Sequence, residues 1–600
     1  MIILGIGDSH EAHACIVIDG KLISAIAEER LSRLKADMGY PRRAIDKVLK
    51  ISGLGPKDID IVAFAGESGY LFQSIANYNA VFSVEDWVKQ CHLYWKPKLL
   101  EGKNLSFLDD FEMFKDRNPN LLEDPYFSFI EKAKASHPSQ WDKIGQEVRA
   151  KTLVDHLGIR RDQILFYRHE DCHKAWGYFS MQKREERALV LTLEGGGDDS
   201  SATISTVESK CKINEHWRSN EVMAGRLYRY VTLLLGMKPG QHEYKVMGLA
   251  PYGSEFQGRK SLEFFRKIHS FKGQEIINNK VLRDMYFSVK DALEGERFDG
   301  IAWGLQTWLE EFLSIWVKNS VEFHKLDKVV LSGGVAQNIK ACKTISELPE
   351  VSNFWAGPIS GDGSLGLGAA FLAASQHGKK IEISDIEDIY LGSHYSNSEI
   401  ATAMQNSDID WNKNYVFENP SAVDIARWIS EGNIIARFSE KMEFGQRALG
   451  NRSILADPRY ENSIQRINRK IKKRDFWMPF TPSMTIEEAE KILINPKKIY
   501  SPFMTMAFDL KEKFLNSIPA AIHPSDKSVR PQMLKRKNNP EYYDVLDAFK
   551  DISGLGVLLN TSFNLHGEAI VESPHDAIST FQRSDIDILI IGDKAIIRKK

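Results

Sequence analysis

The chain opens on an apolar run, Ile2 to Gly7, then a polar loop, then two further apolar runs, Ala14 to Ile18 and Leu22 to Ala25, separated by Asp19-Gly20. Asp-Gly tolerates positive φ, so the pattern predicts a strand, a loop and a β-hairpin. The same order returns downstream, where Ala188 to Leu193 is apolar, Glu194 to Ser200 is polar and glycine-rich, and Ala202 to Val207 is apolar again. A third run, Val329 to Leu331, leads into Gly333-Gly334 and a helix expected to start near Gln337. Tight glycine turns before a helix N-terminus offer backbone N–H groups to a phosphate or an adenosine.

Two halves built on one plan predict an α/β protein with a duplicated N-terminal domain of the actin-like ATPase (ASKHA) kind, which clamps a nucleotide between lobes. From Tyr70 to Leu165 such loops are absent and aromatics recur at helical spacing, among them Trp87, Tyr94, Phe107, Phe111 and Phe114. This is the pattern of a helical insertion with its own small core; lining of a substrate pocket is the competing use. The polar stretch 386–419 lacks strong periodicity and reads as a linker. The expected layout is a domain over 1–385 with its insertion at about 70–165, the linker, and a second domain over 420–600.

Composition narrows the function classes. In 600 residues, 79 Lys plus Arg face 81 Asp plus Glu, a net charge of -2, so no chain-wide field favours nucleic acid or an anionic membrane. The five cysteines, Cys15, Cys91, Cys172, Cys211 and Cys342, are scattered and never form a Cys-x-x-Cys pair, which argues against a disulfide framework or zinc knuckle. No stretch reaches the length of a membrane span and the N-terminus lacks a basic leader, so a soluble cytoplasmic protein is expected.

Candidate chemistry concentrates in a few places. His169 and His173 lie four apart, which on a helix stacks both imidazoles on one face, as a divalent metal requires. Glu194 and Asp362 stand at loop tips after strands, and two imidazoles with two carboxylates suit iron, manganese or zinc better than magnesium alone. His10 follows the first strand, where an imidazole could take a proton from a hydroxyl; His13 reads as structural. Arg447 and Arg452 are embedded among glycines and apolar residues, so each guanidinium needs an anionic partner that a phosphate or carboxylate ligand would supply. Lys472, Lys473 and Arg474 extend the basic cluster, with Lys470 and Lys473 reading as solvated. The strand ending in Asn560, Thr561 and Ser562, followed by Asn564, makes a tip of neutral donors and acceptors able to read a planar amide.

With these motifs in place, the sequence resembles the O-carbamoyltransferases of antibiotic and nodulation-factor biosynthesis. The resemblance spans nearly the whole chain and is strongest in HEYKVMGLAPYG (His242 to Gly253), SGGVAQN (Ser332 to Asn338), FGQRALGNRSILADPR (Phe444 to Arg459) and LLNTSFNLHGE (Leu558 to Glu568). It implies an N-terminal domain similar to the threonylcarbamoyl transferase that modifies tRNA and an α+β C-terminal domain similar to threonylcarbamoyl-AMP synthase (YrdC-like). It further implies that carbamoyl phosphate and ATP, with magnesium, yield a carbamoyl-adenylate whose carbamoyl group passes to a hydroxyl of a small acceptor. Carried onto this chain, the metal ligands are His169, His173, Asp362 and Glu194, the last standing where relatives carry aspartate. His10 matches the catalytic histidine and Lys35 an acceptor-site lysine. The adenylate is expected against Lys245, Gly248, Gly333, Gly334, Asn338 and Gly363. Carbamoyl phosphate is expected against Arg447, Arg452, Lys472, Arg474, Arg530, Asn560, Thr561 and Ser562.

Three departures accompany the likeness. Met478 stands where relatives carry an arginine before Pro-Phe, HPSDKSVRPQ around Arg530 is one residue longer than the family pattern, and SHEAHACIV replaces a commoner Ser-His-Asp-Ala-Ser near His10. Two rival functions are a threonylcarbamoyl transfer to tRNA and a non-catalytic carbamoyl phosphate or nucleotide sensor. Neither nucleic acid nor membrane is an expected partner, a homodimer is compatible with the sequence, and the acceptor is not legible in it.

Overall fold

The computed structural model describes residues 1–599 apart from 69–70, 186, 209–211, 379–381 and 473, together with all but the side chain of Lys470. Lys473, Cys211 and Tyr70 therefore lie outside the described residues. The chain forms two compact units, 1–386 and 387–600.

The first unit holds two five-stranded sheets. One is built from β1 (Ile2–Gly7), β2 (His13–Ile18), β3 (Lys21–Ala27), β4 (Ile61–Ala65) and β5 (Ile164–Tyr167), in the order β3-β2-β1-β4-β5. The other uses β6 (Ala188–Leu193), β7 (Ala202–Glu208) and β8 (Lys212–Ser219); then, after a two-stranded ribbon of β9 (His269–Lys272) and β10 (Glu275–Asn278), come β11 (Lys328–Ser332) and β12 (Asn353–Ala356). Its order is β12-β11-β6-β7-β8. In both sheets an antiparallel three-strand meander is followed by two strands running parallel to its first member. The repeat seen in the sequence is thus a repeat of topology. Asp19 and Gly20 both take positive φ, 48° and 78°, the geometry that closes the predicted hairpin.

The central strands are buried on both faces, so β1 and β6 read as near-continuous apolar runs. The helix His169–Phe179 packs against the helix Leu365–His377. Their approach is so close that a Cβ on Gly368 would lie 2.0 Å from the Cys172 carbonyl oxygen. Residues 71–157 do form helices, including Val84–Gln90, Phe107–Phe114 and Trp141–Leu157. Phe72, Phe82, Trp87, Phe111 and Phe129 do not form the separate core expected for this insertion: they belong to one cluster with Leu4, Ile6, Val62 and Phe64 of the first sheet. Helices too short to bury their own aromatics complete a core only on the sheet.

The second unit centres on an eight-stranded mixed sheet. Its strands are β13 (Asn414–Glu418), β14 (Ile435–Phe438), β15 (Arg452–Ala456) and β16 (Thr481–Thr485), then, past a short ladder of β17 (Leu493–Ile494) with β18 (Asp509–Leu510), β19 (Gln532–Leu534), β20 (Val557–Ser562), β21 (Ile588–Ile591) and β22 (Lys594–Arg598). The order is β13-β22-β21-β14-β15-β20-β16-β19. Side chains alternate between two cores: Ile435, Leu455, Leu558 and Ile588 face one, under the helices Ala422–Ser430 and Pro540–Ser553, while Ala436, Ile454, Leu559 and Leu589 face the other.

The expected linker is corrected here. Residues 387–419 carry the helix Asn397–Gln405, whose Ile400 and Met404 are in the core, and the edge strand β13 paired with β22. An edge strand with one exposed face has the polar composition of a connector, which is why periodicity did not reveal it.

Candidate active site and metal centre

The chemistry of the first unit collects at the C-terminal ends of its parallel strands. Asp8 follows β1, His169 follows β5, Glu194 follows β6, Gly333 follows β11, and Asp362 lies beyond β12. Strand ends in open α/β sheets are where backbone turns outward and ligands bind.

Four side chains meet there, with ligand atoms all within 4.8 Å of one another: His169, His173, Glu194 and Asp362. The histidines project one turn apart from the same helix, and their Nε2 atoms are 3.2 Å apart. Glu194 Oε2 lies 2.9 Å from each Nε2, and Asp362 Oδ1 lies 3.7 Å from each. Asp198 accepts the His169 backbone N–H at 2.8 Å and fixes the start of that helix. Burial alone would raise the Glu194 carboxyl, but the two imidazoles overcome it and hold the group at about 2. Asp362 is likewise held low against its burial, chiefly by His169. The histidines are in turn raised, against burial, by Glu194 and Asp362. Glu194 Oε1 and His173 Nδ1 are buried without a hydrogen-bond partner among the described residues. Two carboxylates and two imidazoles whose Nε2 atoms face each other at contact distance form a set that a divalent cation satisfies.

His10 stands beside this cluster. Its neighbour Ser9 donates to Asp362 Oδ2 at 3.1 Å, and its own Nδ1 contacts the Asn79 side-chain amide. Burial pushes the imidazole down to about 4, so it is neutral at physiological pH. The loop beneath is anchored: Asp8 makes a two-pronged ion pair with buried Arg149, at 2.7 and 3.1 Å. His13 is structural, as its position suggested. Its Nε2 accepts the Gly366 N–H at 2.9 Å, leaving Nδ1–H to donate to the Glu11 carbonyl at 2.9 Å.

The residues assigned to the adenylate divide. Gly333 takes φ 89° against the end of β6, where a Cβ would meet the Leu193 carbonyl at 2.6 Å, and neighbouring Gly334 faces open space. Gly363 is buried in the turn after Asp362, and Lys245 and Gly248 are buried on the helix Glu243–Leu249. The Asn338 side chain is corrected as a ligand: it exchanges hydrogen bonds with Gln306 at 2.8 and 3.0 Å and caps the helix Ile339–Glu347 through the Ala341 N–H.

In the second unit, Lys472 is buried with its ammonium on the Ser562 carbonyl, the Ser562 hydroxyl at 3.2 Å and Asn564 Oδ1. Arg474 donates to Thr561 Oγ1 at 3.0 Å and lies over the Phe480 ring. Asn560 Nδ2 donates to the Ala448 carbonyl at 3.1 Å, which brings the half-buried Arg447 loop to the same strand end. Asn560 Oδ1 is buried without a partner among the described residues. Arg530 follows Val529, which is bridged to Phe508. Arg452 is a second correction. Its fully buried guanidinium donates to the carbonyls of Ser439, Glu440, Asn451 and Ser393 and stacks 3.8 Å from the Phe438 ring, so backbone oxygens fill the place assigned to a ligand.

Sequence reasoning missed Asn79, which contacts His10, Lys238, which donates to the neighbouring Ala80 carbonyl, and Arg229, whose charge reaches His10; their segments carry no recognisable motif.

Residues 2–371 match the family model described as carbamoyltransferase N-terminus, and residues 426–599 that described as carbamoyltransferase C-terminus. The chain belongs to the carbamoyltransferase family. A carbamoyltransferase is an enzyme. An uncharacterized protein of Methanocaldococcus jannaschii is 30% identical over 610 residues, covering 100% of both chains. Nodulation protein NolNO of Sinorhizobium fredii is 28% identical over 598 residues, 98% of this carbamoyltransferase and 79% of the relative. The 3'-hydroxymethylcephem-O-carbamoyltransferase of Streptomyces clavuligerus is 29% identical over 209 residues, 32% and 39% of the two chains. Among solved structures, full-length HypF in its phosphate- and nucleotide-bound form is 12% identical with a TM-score of 0.36, covering 63% of this chain and 47% of that one. Among the described residues, no helix of this carbamoyltransferase is long and apolar enough to cross a membrane.

Proposed function

We propose that this carbamoyltransferase uses ATP to activate carbamate from carbamoyl phosphate and passes the carbamoyl group to a hydroxyl of a small acceptor. The first unit would be the actin-like transfer body, a reading its repeated strand order supports. The second would be the YrdC-like unit that forms the adenylate, supported by the cations and neutral donors gathered at Lys472, Arg474 and Asn560 to Ser562.

The reaction balances in three steps. Water cleaves carbamoyl phosphate to carbamate and inorganic phosphate. A carbamate oxygen attacks the α-phosphorus of ATP, giving carbamoyl-adenylate and pyrophosphate. The acceptor oxygen then attacks the carbamoyl carbon and AMP leaves, while the hydroxyl proton goes to His10. Arg447, Lys472 and Arg474 offset the charge of the phosphates in the first two steps. Met478, buried at the position of a family arginine, leaves that work to them.

The observation that carries the transfer step is the juxtaposition of a neutral histidine with the His169–His173–Glu194–Asp362 cluster, through Ser9 and Asp362. A divalent metal, iron first and manganese or zinc otherwise, fits that donor set and when bound would supply Lewis acidity to the adenylate phosphate. His10 accepts the proton at Nε2 when Asn79 is oriented with Oδ1 toward Nδ1–H, the orientation that also gives the otherwise unpartnered Asn79 Oδ1 a donor. A mixed anhydride is short-lived in water, and two activities on one chain limit its loss.

Mass spectrometry of a panel of hydroxyl compounds incubated with enzyme, ATP and carbamoyl phosphate tests the reading: a carbamoyl mass increment requiring both donors supports it, and an increment without ATP sinks it.

A further inference from the structure

Four segments meet around His10. The loop 33–39 is tied to the His10 loop by Ala12 N–H to the Asp37 carbonyl at 3.0 Å and Gly39 N–H to the Asp8 carbonyl at 2.9 Å. The segment 77–80 is tied to both, through Asn77 Nδ2 to Asp37 Oδ1 at 2.8 Å and through the Asn79 contact with His10. From the second sheet's half, Gln241 Nε2 donates to the Asn79 carbonyl at 2.6 Å and Lys238 Nζ to the Ala80 carbonyl at 3.0 Å.

Three cations on or beside these segments make no ion pair among the described residues. Among the described residues, Lys35 makes no side-chain hydrogen bond or ion pair, Lys238 rests on a carbonyl, and the Arg229 guanidinium lies 4.9 Å from the centre of the Trp87 ring. The nearby acids form no ion pair with them: Asp86 pairs with Arg117 at 3.0 Å and Glu243 accepts the Gly240 N–H at 2.6 Å, while the charge of Asp86 reaches Lys238 and that of Glu243 reaches Arg229. Partial burial, then the like charge of Lys35, brings Lys238 down to about 8, and the Arg229 charge reaches His10. Positive charges drawn together on half-buried side chains are costly unless an anion completes the site.

We infer that the hydroxyl compound carbamoylated beside His10 carries an anionic group, a phosphate, sulfate or carboxylate, held by Lys35, Lys238 and Arg229. The inference rests on reading the His10 cleft as the acceptor site and deepens it: a neutral sugar lacks the group these cations would hold, and a polycationic acceptor is repelled. A guanidinium can make a bidentate bond to two anionic oxygens.

Isothermal titration of the full-length protein with glucose 6-phosphate, glucuronate and glucose tests it. The better anionic sugar is expected to bind about tenfold or more tighter than glucose, a difference of about 1.4 kcal/mol, and the preference should collapse in Lys35→Gln/Lys238→Gln while Lys238→Arg keeps it. If the double variant fails to fold, Lys35→Gln alone, a half-buried change, is read instead. Anionic and neutral sugars binding alike to the wild type, or a preference that survives the substitutions, overturns the inference. An equal loss of ATP affinity in the same variant also overturns it, by assigning the cations to the nucleotide phosphates. The titration measures neither nucleotide cleavage nor carbamoylation, so its failure leaves the proposed reaction standing on its own test.

Discussion

The side-chain amide of Asn79 contacts the Nδ1 atom of His10 although the two are 69 residues apart in sequence. Gln241 holds the Asn79 backbone carbonyl from the other side, so the histidine is oriented by a residue that is itself held in place. A base oriented through its second ring nitrogen presents the first at a fixed angle, which is how an imidazole is kept ready for a hydroxyl proton.

Replacing His10 by alanine should therefore lower acceptor carbamoylation by about 10²- to 10⁴-fold, the contribution of a positioned general base. Asn79→Ala should lower it less, and Asn79→Asp should restore part of the loss. In both His10→Ala and Asn79→Ala, pyrophosphate release in the absence of acceptor persists. A folded His10→Ala variant that loses both activities equally would contradict this division.

His169→Ala or His173→Ala should strip the bound metal, read by elemental analysis of the purified protein. Glu194→Gln should weaken metal binding less, because a neutral carbonyl oxygen remains as donor. Full metal retention in both histidine variants would remove this ligand assignment.

Arg447 and Arg452 should separate cleanly. Arg447→Ala raises KM for carbamoyl phosphate and leaves the melting temperature nearly unchanged, since its side chain is half-buried. Arg452→Ala empties a buried position near Glu443 and Glu572 and should destabilise the second unit by about 3–5 kcal/mol. Denaturant unfolding alongside initial-rate kinetics distinguishes the two.

The share of the first unit's stability that comes from Glu28 and Asp110 should fall as pH rises from about 5 to about 8, against the opposite trend of buried His10 below about 6.5. Burial raises Glu28 to about 7 and Asp110 to about 6. Each folded-state value lies above that of the unfolded chain, so the native state binds the extra proton between the two values. The stabilisation is complete below the unfolded value and is lost as pH climbs through the folded one. Glu28→Gln should flatten the profile and raise stability at pH 8; an unchanged slope of unfolding free energy against pH would contradict it.

Part of this structure was legible in the residues. The opening hairpin was, because Asp19-Gly20 prescribes its turn and the apolar runs have no other local solution. The grouping of His169, His173, Glu194 and Asp362 was, because four-residue spacing and loop-tip carboxylates are local signals. Arg452 was misread because a buried guanidinium calls equally for a ligand or for carbonyl oxygens, and only the fold supplied the carbonyls of Ser439 and Ser393. β13 looked like a linker because its half-exposed sequence needs β22, almost two hundred residues on, to become a strand. Asn79 and Arg229 were invisible for the same reason: their contact with His10, or their charge upon it, comes from tertiary proximity and from no spacing in the chain.

The most direct measurement follows radiolabelled ATP with the pure, metal-loaded protein, with carbamoyl phosphate present and then omitted. AMP and pyrophosphate should appear only when carbamoyl phosphate is supplied. Release of ADP and phosphate instead, or no cleavage between the α- and β-phosphates under any condition, would contradict the carbamoyl-adenylate route.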